Sequence, residues 1–110
     1  MQQYQRHIPI LKALSDETRL KIVHMLAWKS MHVNQLLECF NITQPTLSYH
    51  MKILSEADLV HSERHASHVL YSINPLTLNL VNELCTTLLE GRELTEQDKC
   101  NKLFTLYRNI

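Results

Sequence analysis

The sequence predicts a mainly α domain with a β-hairpin wing. This is a winged helix-turn-helix in the order helix, helix, helix, helix, strand, strand, helix, with a last C-terminal helix as an optional addition. Three observations lead there. Two short amphipathic stretches, residues 33–40 and 44–56, are separated only by the turn Asn41-Ile42-Thr43, a spacing that fits a helix-turn-helix. Two extended stretches, residues 59–64 and 69–73, follow at once. In the second, Val69, Tyr71 and Ile73 alternate with Leu70 and Ser72, the period of a strand. Asn74-Pro75 then opens a leucine-rich segment, an N-cap followed by the proline favoured at a first helical position.

Each element has its own signal. Tyr4, Ile8, Leu11 and Leu14 recur at helical spacing, so a first short helix is expected over residues 4–14, started or interrupted near Pro9. Ser15 is expected to cap the second helix, with Asp16 and Glu17 in its first turn, where the helix dipole favours acids. Leu20, Val23, Leu26 and Ala27, widened by Ile22, form its inward seam, and Trp28 closes it. Residues 29–32 connect, in part extended. The third helix turns Val33, Leu36, Leu37 and Phe40 inward. Thr43 caps the fourth, and Pro45 is tolerated in its first turn because the missing N–H had no partner there. At about 100° per residue, Leu47, Met51 and Leu54 share one stripe of that helix. The hairpin joint, His65-Ala66-Ser67-His68, lacks the usual Asn-Gly or Asp-Gly turn. In the last long helix Leu76, Leu80, Leu84 and Leu88 repeat every four residues beside Val81, and Gly91 is a C-cap. Residues 95–107 are at most a marginal helix.

The whole chain sets further bounds. At 110 residues it is one domain with a modest core, divided here into residues 1–90 and a 91–110 tail. No apolar run reaches spanning length, and no signal-peptide pattern opens the chain. Three scattered cysteines do not suggest a disulfide framework, and a reduced cytoplasm fits best. Eleven basic and eleven acidic residues cancel, which counts against a strongly basic nucleic-acid binder. The charges are nonetheless uneven. Residues 1–31 hold five basic side chains against two acidic, and residues 32–60 hold one against three.

Function is most legible in the fourth helix. Opposite its apolar stripe lie Pro45, Tyr49, Lys52 and Glu56, flanked by Thr46 and Ser48, with His50 nearer the stripe. Short hydroxyls and a glutamine suit base edges in a major groove: Ser and Thr bond several bases, a Thr methyl meets thymine, and Gln pairs with adenine. Gln44, Thr46, Ser48, Tyr49 and His50 are therefore the candidates for reading bases or positioning the helix. Lys52 is the candidate for phosphate, with Arg64 and His65 on the wing. A solvated helix face with no partner has the same periodicity. The first and last long helices carry more apolar surface than a small core needs, so Ile8, Leu11, Leu76, Leu80, Leu84 and Leu88 are candidates for a homodimer interface. Catalysis has no support. Ser48 and His50, two apart on a helix, do not face each other, and one glycine cannot build a phosphate loop.

The residues also carry a resemblance. Leu11-Lys12-Ala13-Leu14-Ser15-Asp16-Glu17-Thr18-Arg19-Leu20 resembles the A-L-S-D-x-x-R-L opening of the ArsR/SmtB family of bacterial repressors. Gln44-Pro45-Thr46-Leu47-Ser48-Tyr49-His50-Met51-Lys52-Ile53-Leu54 resembles its Q-P-T-x-S-x-H-x-K-x-L recognition helix. Ala57-Asp58-Leu59-Val60 and Tyr71-Ser72-Ile73-Asn74 stand where that family has its signatures before and after the wing. The resemblance covers about residues 8 to 90. It implies a homodimeric winged-helix repressor that binds an inverted-repeat operator and leaves it when an inducer binds.

Many members sense metals or metalloids, and the resemblance implies where. The arsenic-type Cys-x-Cys pair falls on His32 and Asn34 here, and soft As(III) prefers thiolates. The zinc-type positions read Pro75, Thr77, Leu88 and Gly91. Both usual sites are thus expected to be missing. Cys39, Cys85 and Cys100 remain as a relocated thiol set for a soft metal, a metalloid or an oxidant, against a reading of Cys39 and Cys85 as small buried hydrophobes. His61, His65 and His68 are close enough in sequence to suggest Zn²⁺ or Ni²⁺, but no carboxylate or fourth ligand is evident beside them. Two rivals to a plain repressor stay open: a thiol-based soft-metal or redox sensor, and a winged-helix protein-interaction module that does not bind DNA.

Overall fold

The computed structural model describes residues 4–91; the 95–107 helix and Cys100 lie outside the described residues. Eight elements follow in order: α1 (His7–Leu14), α2 (Glu17–Trp28), β1 (Met31–His32), α3 (Val33–Cys39), α4 (Gln44–Glu56), β2 (Val60–His65), β3 (His68–Ile73) and α5 (Pro75–Glu90). This is the predicted winged helix-turn-helix.

Helix starts follow local hydrogen-bonding chemistry. Asp16, not Ser15, caps α2: its carboxylate accepts from the Arg19 amide at 3.0 Å. Ser15 ends α1 instead, its hydroxyl donating to the Leu11 carbonyl at 2.7 Å. A charged acceptor at a helix N-terminus outcompetes a hydroxyl. Thr43 caps α4 as expected, accepting from the Thr46 amide at 3.3 Å. Gln35 Oε1 accepts from the His32 amide at 2.8 Å and fixes the start of α3.

The core lies under α4. Ile10, Ala13, Ile22, Val23, Leu26, Leu36, Leu47, Met51, Leu54 and Leu59 are buried, with Met31 and Val60 added by the sheet. In α2 the buried face is Ile22, Val23 and Leu26, while Leu20 (52 % exposed) and Ala27 face out. The expected seam was therefore rotated. Ile22 is central to it, and Met25 packs partly against the core in place of Leu20 and Ala27.

β1, β3 and β2 form an antiparallel sheet in that order, with Met31 opposite Tyr71 and His32 opposite Leu70. The hairpin register pairs Val60 with Ile73 and His65 with His68, leaving Ala66 and Ser67 as a two-residue turn. Ala66 supplies the positive φ, 57°, that Asn-Gly would ordinarily supply.

The base of the wing is tied at both ends. Asp58 takes φ 61°. Its amide donates to the Ser55 carbonyl, and the Leu59 amide donates to the Leu54 carbonyl, each at 3.0 Å. Those two bonds close α4 in a Schellman motif. Asn74 lies across the other end. Its amide donates to the Leu59 carbonyl at 2.8 Å, and its Nδ2 donates to the Asp58 carbonyl at 2.9 Å.

Candidate nucleic-acid interface

α4 presents the face predicted for it. Gln44, Pro45, Thr46, Ser48, Tyr49 and Lys52 are all exposed, whereas Leu47, Met51 and Leu54 are buried beneath. Thr46 is partly committed, since its Oγ1 accepts from the Thr43 hydroxyl at 3.0 Å. Its own hydroxyl proton remains available.

His50 does not share this face. It is 9 % exposed, turned inward by the same rotation that buries Met51. Its Nδ1 accepts from Arg19 Nη1 at 3.1 Å and lies 4.0 Å from Asp16 Oδ2. An arginine can only donate, so Nδ1 is the acceptor. His50 is thus a support behind the helix rather than a reader of bases. Arg19 reaches further, its Nε donating to the Ala13 carbonyl at 2.7 Å. One guanidinium therefore joins the end of α1 to the inner side of α4. Sequence reasoning assigned Arg19 no role, although it stands inside the A-L-S-D-x-x-R-L stretch.

The Arg19 amide, aided by the Arg19 charge, holds the Asp16 carboxyl below the ordinary carboxylate range against the opposing effect of burial. A carboxyl depressed by folding adds stability above its unfolded pKa of about 3.9 and loses it as pH falls through the lower folded value. Asp16→Asn keeps an N-cap acceptor and removes the charge. Urea unfolding should show it less stable than wild type by on the order of 0.5 kcal/mol above pH 4, after solvent screening. The two should converge below the folded pKa. A gap constant across pH would mean the charge plays no part.

The wing carries Arg64 and His65, both exposed, but the register sets them on opposite faces, since side chains alternate along a strand. Arg64 shares the face of Val69, opposite it in the ladder. His65 shares the outer face, where its Nε2 pairs with Glu63 Oε1 at 2.6 Å. The wing histidines do not converge. His65 meets Glu63, whereas His68 approaches His32, their ring centres 5.4 Å apart. Among the described residues, no three His, Cys, Asp or Glu side chains form a group that could hold a metal.

Of the apolar side chains proposed for a dimer, Ile8, Leu76 and Leu88 are well exposed at 45 %, 81 % and 63 %, and Leu11, Leu80 and Leu84 are half-buried. α5 packs back against α1, so these residues lie on two adjoining helices. Leu89 is also exposed, at 86 %, but it lies off the stripe of the others, towards the opposite side of α5. Cys39 and Cys85 are free and exposed, contrary to the reading of them as buried hydrophobes.

A short-turn helix pair with a polar exposed second helix, followed by a hairpin, defines a winged helix-turn-helix regulator. The family model described as bacterial regulatory protein, arsR family, matches residues 16–62. The chain is 38 % identical over 80 residues to an arsenical resistance operon repressor of Staphylococcus xylosus, covering 73 % of this chain and 77 % of that one. It is 36 % identical over 69 residues to the transcriptional repressor SdpR of Bacillus subtilis, covering 63 % and 77 %. Its fold is similar, at a TM-score of 0.64 and 22 % identity, to the homodimeric winged helix-turn-helix DNA-binding domain of a Mycobacterium bovis protein, covering 84 % and 89 %. The chain belongs to the arsR family of bacterial regulatory proteins. That family consists of regulators and not enzymes.

The usual metal positions of the family do not fit a metal here. His32 and Asn34 offer no thiolate pair at the start of α3. At the zinc-type positions, Pro75 sits in the first turn of α5 and Gly91 is its C-cap. Leu88 is exposed, and Thr77 is buried with its hydroxyl beside Asn74 and Asp58. Three of the four lack a donor side chain, and the fourth is engaged. Among the described residues, no helix is long and apolar enough to cross a membrane.

Proposed function

We propose that the chain is a homodimeric transcriptional repressor that binds an inverted-repeat operator in the cytoplasm. The exposed face of α4 carries this reading. Gln44, Thr46, Ser48 and Tyr49 read or approach base edges, and Lys52, Arg64 and His65 contact phosphates. α1 and α5 supply the dimer through Ile8, Leu11, Leu76, Leu80, Leu84 and Leu88, which would set two copies of α4 into successive major grooves. His50 enters only by holding α4 in place. Ser48→Ala should weaken binding to the specific operator by on the order of fivefold, about 1 kcal/mol, and leave random DNA almost unaffected. Equal losses on both, measured by fluorescence anisotropy at one fixed salt concentration, would remove the base-reading role.

The exposure of Cys39 and Cys85 favours a second reading, in which a soft metal, a metalloid or an oxidant releases the repressor through thiols that include Cys100. The arsenical repressors among its relatives fit that class of inducer. Alanine at Cys39, Cys85 and Cys100 together should then abolish release by As(III), Cd²⁺ or an oxidant while leaving operator binding intact. Release that persists in the triple variant would eliminate the thiol reading.

A further inference from the structure

His50 stands between the inside of the domain and the face that would read DNA. On the inner side its Nδ1 accepts from Arg19 Nη1 at 3.1 Å, and Asp16 Oδ2 lies 4.0 Å away. On the outer side its ring meets the Tyr49 ring edge-on, with centroids 5.4 Å apart, and Tyr49 is 60 % exposed. We propose that protonation of His50 is a switch. It breaks the bond to Arg19, turns the imidazolium towards Asp16 and frees the inner side of α4, so that mild acid releases the chain from its operator. The release rests on the repressor reading; the exchange of partners at His50 does not.

The chemistry of the acceptor is the first support. A guanidinium can only donate, so the bond exists only while Nδ1 keeps its lone pair and the ring is neutral. An added proton occupies that lone pair. It also sets a cation against Arg19, which is nearer than the Asp16 carboxylate that would attract it. Both effects act on a ring that is 9 % exposed, where charges are screened little. Histidine is the side chain whose charge ordinarily changes between about pH 5 and about pH 8.

The surroundings of the ring are the second support. α1, α2 and β2 pack against α4. Among the described residues, the charged groups in contact with the ring are Asp16 and Arg19, at the start of α2. Elsewhere on α2, Glu17 pairs with Lys21 and His24 is exposed. On α1, Lys12 is exposed and His7 packs against Tyr4. Lys52 and Glu56 on α4 itself are exposed, as are His61, Glu63, Arg64 and His65 on β2. Arg19 is held to α1 through its other nitrogen, Nε, which donates to the Ala13 carbonyl. Loss of the Nη1 bond therefore severs α4 and not α1.

The exchange of partners is tested first, in the full chain without DNA. Between about pH 8 and about pH 5.5, NMR of the His50 ring and of the Arg19 Nε–H should show one shared midpoint in wild type. In His50→Asn the side-chain carbonyl stands near the place of Nδ1 and takes up no proton, so the Arg19 signal should stay fixed. An Arg19 signal that does not follow His50, or that moves equally in His50→Asn, would overturn the switch. If His50→Asn does not fold, the two wild-type signals decide alone.

The operator is tested second, by fluorescence anisotropy at one salt concentration, with a duplex selected in vitro at the upper pH and a random duplex. Across the same range wild type should lose on the order of tenfold in affinity for the selected duplex relative to the random one, a usual size for coupled equilibria. Protons gained by His61, His65 and His68 strengthen both duplexes alike, because phosphate contacts carry no sequence information, and they cancel from the ratio. His50→Asn should keep its ratio, and a ratio that falls as far there would overturn the link to the operator. A shared midpoint in a chain for which no preferred duplex can be selected would leave the switch standing and strike the repressor reading.

Discussion

Arg19→Met should lower stability by about 3 kcal/mol. The substitution keeps the length of the side chain and its apolar stem but removes every donor. It leaves the Ala13 carbonyl without the guanidinium that bonds it at 2.7 Å, and His50 Nδ1 without the donor at 3.1 Å. An unsatisfied group in a covered position costs about 1–3 kcal/mol, and two such groups arise at once. His50 is 9 % exposed, so water cannot readily replace the lost donor. For a domain of this size each kcal/mol moves the melting temperature by roughly 4–8 °C, so a fall on the order of 15 °C is expected. Protein concentration must be held fixed, because the melting point of a dimer depends on it. Arg19→Lys should recover only part of the loss, since one ammonium cannot span both acceptors in the geometry of a planar fork. A fall under 1 kcal/mol for Arg19→Met would show that the α1–α4 connection rests on apolar packing alone.

Asn74→Ala should destabilise by about 2–4 kcal/mol. Asn74 is 6 % exposed and works in two directions. Its Oδ1 accepts from the Leu76 amide at 3.2 Å and caps α5, while its Nδ2 donates to the Asp58 carbonyl and to Thr77 Oγ1. Losing the cap costs about 1 kcal/mol, and stranding covered partners adds about 1–3 kcal/mol. The damage should be concentrated. Hydrogen exchange should quicken most at Leu76, whose amide loses its acceptor, and at Leu59, whose amide closes the Schellman motif beside Asp58. The interior of α2 should change less. A uniform rise in exchange throughout the chain would instead mean that Asn74 affects only global stability.

Most of the fold was legible because its signals are local. The Thr43 and Asn74-Pro75 starts, the alternation in β3 and the apolar stripe of α4 all depend on neighbours within a turn or a strand, and the structure contains each of them. What was illegible depends on partners distant in sequence. The cap of α2 was ambiguous for a different, local reason: Ser15 and Asp16 are adjacent and both good caps, and it is Asp16 that accepts from the Arg19 amide three residues on. The seam of α2 was misjudged because Leu20, Ile22, Val23, Met25, Leu26 and Ala27 are all apolar, so composition does not say which stripe faces the core. For the same reason His50 could be placed nearer the apolar stripe of α4, yet its Arg19 partner lies 31 residues away. The wing turn was uncertain because Ala66 adopts a conformation that its residue type does not advertise. The meeting of His32 with His68 depends on β1, a two-residue strand too short to leave a pattern.

β2 is the outermost strand, with β3 on one side and nothing on the other among the described residues. A free strand edge is a template on which another chain can add by backbone hydrogen bonding, the first step of sheet-like aggregation. A chain whose eleven basic and eleven acidic residues cancel gains no general electrostatic repulsion between copies. Its protection is therefore local. After Val60, β2 presents His61, Ser62, Glu63, Arg64 and His65, all exposed and all polar. This strand pairs with β3 through the hairpin turn and offers an incoming strand no apolar surface beyond Val60. Polar and charged side chains along such an edge disfavour edge-to-edge pairing between copies.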